Sequence, residues 1–368
     1  MKILHLTTHL NRGGISNYIL SVGSALRAKG HQLFVGSDGG EMEEEFREQG
    51  FHLKNFPIRT KSELHPKIYA ALPSLIHWIR EEQIELIHAH TRITQVMADW
   101  IQRVSQTPYL TTAHGFYKRR LGRRFLPAWG KRVVAISDPV GDYLLDVFKV
   151  PGRNLRVIYN GLDLESFANA FRRHDPQGVR REYGFNERAY VIGITARLVP
   201  EKGHEYLIRT AKSLETEIPD LKILIVGDGR YRSQLEALTQ KFGLSERVRF
   251  LGNLRDVSKP LAAMDVFTLP AVWREGFGLS VAEAMACGKP IIATNIWALN
   301  ALIENRVNGI LVEPRSVSAL AEAILFIYKN KTFRESIAEA GRKTAAERFS
   351  MDRMVRELET VYEEVLQG

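Results

Sequence analysis

Short apolar runs alternate along this chain with longer stretches whose apolar positions recur every three or four residues. Runs of the first kind fit buried strands and stretches of the second fit amphipathic helices. The pattern predicts strands at 2–7, 32–36, 86–89, 109–113, 132–136 and 155–158 in the first half. Between them it predicts helices at 16–29, 41–49, 68–82, 93–105 and 139–148. A second series places strands at 190–196, 222–226, 248–251, 266–269 and 290–293. Its helices are expected at 203–217 and 231–242, from about Leu279, and at 317–330 and 332–348, with a final helix over 351–367.

Strands alternating with helices argue for an α/β fold with parallel sheets covered on both faces. The polar segment from Asn169 to Gly178 reads as a junction, which gives one domain over 1–168 and a second over 169–348, followed by the terminal helix. The halves share only an apolar strand running into a glycine turn, not a detailed repeat. Open α/β sheets bind ligands at the carboxyl ends of their strands, so two such domains facing each other would form a ligand cleft.

Two Rossmann-like domains suit a length of 368 residues, and 45% hydrophobic with 25% charged residues fits a globular protein. No apolar run reaches the roughly 18 residues that span a bilayer, and Met1–Leu10 lacks the form of a signal peptide. The single cysteine, Cys287, fits a reducing cytoplasm, and its small neighbours favour a buried packing role over a nucleophilic one. The net charge of +9 is unevenly placed. No acid occurs between Asp99 and Asp138, whereas Arg103, Lys118, Arg119, Arg120, Arg123, Arg124, Lys131 and Arg132 do. Phe116, Tyr117, Phe125 and Trp129 are interleaved with them, a mixture that suits an anionic membrane surface or an anionic lipid-linked substrate. A solvated helix face with its apolar side in the core gives the same pattern. Nucleic-acid binding is not expected, since no motif for it is present.

The most informative stretch runs from Glu275 through Gly276, Phe277, Gly278 and Leu279 to Glu283. Glu275 precedes the predicted helix and Glu283 lies in its first turns. The free N–H groups at such a helix start suit a phosphate. Two carboxylates there would repel the anion directly, but they suit neutral hydroxyls of a sugar and a ribose. An exposed Glu before a helix and a solvated Glu on its face would share this spacing. Arg197 and Lys202 flank the turn after strand 190–196, and a guanidinium with an ammonium there can clamp a diphosphate and stabilise it as a leaving group.

Gly227-Asp228-Gly229 is a weak dinucleotide echo, because the third glycine of that fingerprint would fall at Arg232. Gly13-Gly14 after the first strand permits close approach to a phosphate or sugar. His114, at another strand end, could hydrogen-bond a sugar hydroxyl or assist proton transfer. His88 and His90 are weaker candidates, since polar residues at strand ends often cap the next helix. No metal-ligand spacing and no G-x-S-x-G elbow occur, so neither a catalytic metal nor any cofactor is expected, and a common hydrolase reading falls away.

Taken together, these motifs resemble the retaining nucleotide-sugar glycosyltransferases of family 4, which have the GT-B fold. The resemblance covers nearly the whole chain: Gly13-Gly14, His114-Gly115, Ala135-Ile136-Ser137, Asn160 to Asp163, Arg197 with Lys202-Gly203, Val226 to Gly229, and Glu275 to Pro290. It implies that Arg197 and Lys202 hold the donor diphosphate and that Glu283 accepts from the ribose. Glu275, with the amides of Phe277, Gly278 and Leu279, would grip sugar and phosphate. Gly14 would let its loop approach the diphosphate, and His114 would contact the sugar. The family's front-face reaction needs no enzymic nucleophile, because the leaving phosphate takes the acceptor proton. The family also suggests that the last helix packs back on the first domain.

One stretch departs from the family. Trp297 and Ala298 stand where a glycine pair is usual, and Ala301 where a Glu is, which leaves the donor's identity open. The expected donor is a UDP-sugar first and GDP-mannose second, with a glycan or lipid-linked acceptor from envelope polysaccharide or glycolipid synthesis. A nucleotide-sugar 2-epimerase of the same fold, or a non-catalytic nucleotide-sugar binder, are the alternatives.

Overall fold

The computed structural model describes residues 1–60, 62–118, 121–254 and 256–367, and for Leu121 and Arg124 the backbone alone. The chain divides into two compact units, Met1–Gly161 with Met351–Gly368, and Leu162–Ser350. Asn169 to Gly178 is therefore no junction. Most of it lies in helices Leu164–Arg172 and Pro176–Glu182, which belong to the second unit. Asp163 and Asp175 start these helices by accepting from backbone N–H groups of their first turns.

The first unit is built on seven parallel strands: β1 Lys2–Leu6, β2 Gln32–Ser37, β3 His52–Asn55, β4 Leu86–Ala89, β5 Tyr109–Ala113, β6 Arg132–Ala135 and β7 Leu155–Val157. Their order is β3-β2-β1-β4-β5-β6-β7, so the winding reverses between β1 and β4. Alternation along β1 sends Ile3 to one core and Leu4 and Leu6 to the other. His5 points with Ile3, and it pairs in register with His88 of β4, which points with Leu86.

Helix Met351–Gln367 covers that face. Met354, Val355, Leu358, Val361, Tyr362 and Val365 recur at helical spacing and are buried in the same cluster as Ile3, Ile19 and Leu86. Burying side chains of this kind contributes about 1.5–3 kcal/mol each. Glu364 ties the helix to the sheet edge through Arg132 at 2.6 Å and Arg156 at 2.9 Å.

The second unit holds β8 Tyr190–Thr195, β9 Leu221–Val226, β10 Val248–Phe250, β11 Val266–Leu269, β12 Ile291–Thr294 and β13 Ile310–Val312, in the order β10-β9-β8-β11-β12-β13. All its pairings are parallel. Both units thus have the doubly wound α/β form.

Candidate functional site

In the second unit the residues singled out by sequence gather at the carboxyl ends of β8, β9 and β11. The chain leaves β8 at Thr195, turns through Arg197 and a short 3-10 turn, Pro200–Lys202, and enters helix His204–Ser213 at Gly203. Gly203 has φ +74°, and a Cβ there would lie 1.8 Å from the Pro270 carbonyl oxygen. Only glycine lets this turn lie against the chain leaving β11. Val272 N–H donates to the Glu201 carbonyl at 2.9 Å and completes that contact. The two loops hold Lys202 Nζ 2.5 Å from Glu275 Oε1, and both side chains are largely shielded. Arg197 is exposed beside them.

These residues line a groove of about 660 Å³ together with Gly229, Arg230, Trp273 and Arg274. Gly227 serves it from behind: its φ is +131°, and a Cβ there would come within 2.1 Å of the Ala196 carbonyl oxygen. The strand-end glycine of β9 thus allows the Arg197 turn to pack closely. Arg230 and Trp273 escaped the sequence reading, although Arg230 is a second basic residue at a strand end, as Arg197 is.

Helix Leu279–Ala286 starts after Gly278, whose φ of +94° favours glycine, and no side chain caps its first turn. Val281 N–H turns back to the Gly278 carbonyl at 2.9 Å, and a helix start without a side-chain cap leaves the N–H groups ahead of it for solvent or a ligand. Phe277 anchors the approach by packing edge-on against Phe349 at 5.4 Å. Glu283 sits on this helix, half-buried, and burial pushes its carboxyl up to about 7. Neither carboxylate is thus a bare negative charge near an anion: Glu275 is paired with Lys202, and Glu283 is close to half protonated at neutral pH. Cys287 is buried and burial raises its thiol to about 12, so it is a packing residue. Trp297 is 43% exposed with the Arg274 guanidinium 4.6 Å above its ring. Ala298 keeps the backbone that a glycine would favour, with φ +73° in a fully buried position.

In the first unit Gly13 and Gly14 are exposed at the start of helix Gly14–Ala28, and a Cβ on Gly14 would meet nothing within 4 Å. Nothing inside the unit demands a glycine there. His114 follows β5, and His88 and His90 do not cap the next helix. Thr91 performs that role with Thr94, while the two histidines are buried with His5. His88 bonds Thr112 Oγ1 at 2.6 Å and the Tyr362 hydroxyl at 2.9 Å; His90 bonds His5 at 2.9 Å and His114 at 3.0 Å. Nitrogens of His5, His88 and His90 lie within 4.8 Å of one another. Both nitrogens of His88 and of His90 already have hydrogen-bond partners, so the trio does not present a free ligand set for a metal.

The basic stretch is only partly a surface. Arg123 is buried, bonded to Gln95 Oε1 at 3.1 Å and stacked over Tyr117 at 4.1 Å and Trp129 at 4.6 Å. Lys131 and Arg132 are tied to the last helix. With Phe148 at 5.5 Å as a third ring, the guanidinium satisfies cation–π geometry, which sequence pattern alone does not separate from an interfacial belt. Lys118 and Phe125, the latter 81% exposed, remain on the surface. Arg119, Arg120 and the Arg124 side chain lie outside the described residues.

The model of the glycosyl transferases group 1 matches residues 177–344, and that of glycosyltransferase family 4 matches residues 12–166. A UDP-Gal:alpha-D-GlcNAc-diphosphoundecaprenol alpha-1,3-galactosyltransferase of Escherichia coli is 28% identical over 71% of this chain and 70% of the relative. A phosphatidyl-myo-inositol mannosyltransferase of Mycobacterium leprae is 25% identical over 96% and 93%. In fold, the chain matches the crystal structure of Anabaena HepE, solved with UDP and glucose, at a TM-score of 0.84 and 22% identity over 99% of both chains. The two doubly wound units share the GT-B fold of these neighbours. The chain belongs to the group 1, family 4 glycosyltransferases, and it is an enzyme of that class.

Proposed function

We propose that the protein transfers a sugar, with retention, from a nucleoside diphosphate sugar to a glycan or lipid-linked acceptor of the cell envelope, without a metal. UDP-sugar is the favoured donor and GDP-mannose the second. The observation that carries this reading is the convergence of Arg197, the Lys202–Glu275 pair and the uncapped start of helix Leu279–Ala286 on one edge of the second unit. In the proposed reaction the bond between the anomeric carbon and the phosphate oxygen breaks first. Arg197, Lys202 and the helix N–H groups stabilise the leaving diphosphate. The acceptor oxygen bonds to the same face of the sugar, and its proton passes to the leaving phosphate oxygen. Glu275 accepts from sugar hydroxyls and Glu283 from the ribose.

Gly13, Gly14 and His114 of the first unit are the remaining substrate contacts in this reading. An exposed glycine with no internal reason to be one favours close approach of a ligand at Gly14. The E. coli relative is named for a UDP-sugar and a lipid diphosphate, and the M. leprae relative for an inositol lipid. Both names support a lipid-borne acceptor, and the first supports the UDP choice.

The test is incubation with UDP- and GDP-sugars, with and without EDTA and lipid-linked acceptors. Release of free nucleotide with an α-linked product supports the reading. A new sugar nucleotide without release points to epimerisation, and binding alone points to a silent binder. No helix among the described residues is long and apolar enough to cross a membrane, so a lipid-borne acceptor would be met at the surface. Lys118, Phe125 and the neighbouring arginines are the proposed contact with the inner face of the cytoplasmic membrane. Each basic residue near an anionic surface contributes roughly 1 kcal/mol. Salt-sensitive co-sedimentation with anionic vesicles, lost in a K118Q/R119Q/R120Q/F125S variant, is expected; no sedimentation at low salt removes the membrane from the proposal.

A further inference from the structure

Three imidazoles run head to tail from the core of the first unit to the end of β5. His5 Nδ1 lies 2.9 Å from His90 Nε2, and His90 Nδ1 lies 3.0 Å from His114 Nε2. Burial keeps all three neutral at ordinary pH, taking His5 and His114 down to about 3 and His90 well below the imidazole range. A neutral imidazole carries one N–H and one lone pair. The three protons must therefore all point the same way along the chain, and only two arrangements exist.

In the first, His5 donates from Nδ1 to His90, His90 donates from Nδ1 to His114, and His114 carries its own proton on Nδ1. In the second, His114 donates from Nε2 to His90, His90 donates from Nε2 to His5, and His5 carries its proton on Nε2. His5 Nε2 is buried without a hydrogen-bond partner. The second arrangement strands an N–H there, whereas the first strands only a lone pair. A stranded buried N–H is the rarer defect in folded proteins. His88, packed against His90 at 4.2 Å between ring centres, does not intercept the chain, since Thr112 and Tyr362 engage both its nitrogens. The Tyr18 ring packs edge-on against His114 at 4.7 Å and against His90 at 5.6 Å, which helps hold both ring planes.

We infer that His5 and His90 are positioning residues that fix His114 as the Nδ1–H tautomer, so that His114 offers a ligand a hydrogen-bond donor and not a base. Such a nitrogen suits an oxygen lone pair, as on a sugar hydroxyl or a phosphate. Its part in substrate contact rests on the function proposed above; the tautomer itself does not.

The test is a two-bond proton–nitrogen correlation spectrum of the ¹⁵N-histidine-labelled full chain, free of ligand, at pH 7.5. His114 is expected with its proton on Nδ1. The His90→Leu variant should lose that single form and become a tautomer mixture. The His90→Asn variant, whose amide nitrogen occupies the place of Nδ1, should keep it. In transfer assays His90→Leu should lower kcat/KM about tenfold, and His90→Asn should recover most of the loss. A wild-type His114 protonated on Nε2 overturns the inference, and so does an unchanged tautomer in His90→Leu. The wild-type spectrum decides even if the leucine variant does not fold. An Nδ1–H tautomer with unaltered kcat/KM in both variants upholds the inference and instead removes His114 from substrate contact.

Discussion

Replacing Glu283 by Gln should abolish a pH dependence that nucleotide-sugar binding otherwise shows between pH 6 and 8. Burial raises this carboxyl to about 7. It is then about one-tenth ionised at pH 6 and about nine-tenths ionised at pH 8. Ribose hydroxyls donate more strongly to a carboxylate than to a carboxylic acid. If the ionised form does the binding, affinity falls roughly tenfold from pH 8 to pH 6, or about 1.4 kcal/mol. His204 does not blur the window, because burial takes it down to about 4. The measurement is titration calorimetry with intact UDP-glucose, whose diphosphate has no proton to exchange in this range. A flat profile, a reversed one, or the same slope in Glu283→Gln would refute the ribose assignment.

The same shift fixes the sign for stability. The folded carboxyl holds its proton to about 7, while the unfolded one releases it near 4.5. The native state thus binds more protons between those values, and stability is lost as pH rises through them. Glu283→Gln should therefore gain stability over the wild type at pH 8 relative to pH 4, as read by thermal melts at both. A gain of equal size at both pH values would count against the shift.

Arg197→Ala or Lys202→Ala should slow transfer by on the order of 3 kcal/mol in kcat/KM, as for loss of a donor to a developing anion; unchanged kinetics at saturating and limiting donor would remove the clamp. Gly203→Ala must push the Pro270 carbonyl away from a 1.8 Å overlap, whereas Gly243 has a similar φ of +70° and open space. The first should cost well beyond the roughly 1–2 kcal/mol of left-handed strain that the second shows, and equal melting shifts would argue against the loop contact. Ala298→Gly, at φ +73°, should be neutral to stabilising by about 1 kcal/mol, since relieved strain outweighs the added chain entropy; a clear loss of stability in denaturant titration would contradict this.

Most strands were legible because most apolar runs are central strands buried on both faces, although the edge strands β7 and β10 were read from their apolar residues too. The two strands that escaped, β3 and β13, are edge strands of four and three residues, HLKN and ILV, too short to carry a period, and the short helices Leu121–Phe125, Ser258–Ala263 and Leu299–Leu302 escaped as well. The misread segment near Asn169 shows the converse. Asp and Pro mark helix starts as readily as linkers, and here Asp175 and Pro176 begin one helix of the second unit while Asn169 lies inside another. Glycines and charges flanking strand ends made the groove legible, whereas Trp273 entered it through a loop with no pattern. The histidines were the hardest. Polar residues on central strands look like strand-end caps until alternation on β1 and β4 turns His5 and His88 inward together.

Carboxylates beside the proposed phosphate site look self-defeating in sequence, and the geometry removes the conflict at each position by a different means. Lys202 lies against Glu275 at 2.5 Å, so the pair approaches a diphosphate as a near-neutral dipole. Its ammonium end can turn to the anion while the carboxylate turns to hydroxyls. Glu283 has no such partner to lower its carboxyl, and burial alone keeps it partly protonated. The two positions should then respond differently to substitution. Glu275→Ala frees Lys202 and should tighten binding of the bare nucleoside diphosphate while slowing transfer, because the sugar loses its acceptor. Glu283→Ala should weaken binding of nucleotide and nucleotide sugar alike. A calorimetric comparison of UDP and UDP-glucose on both variants separates the two roles, and weakened UDP binding in Glu275→Ala would show that the ion pair does not divide its work in this way.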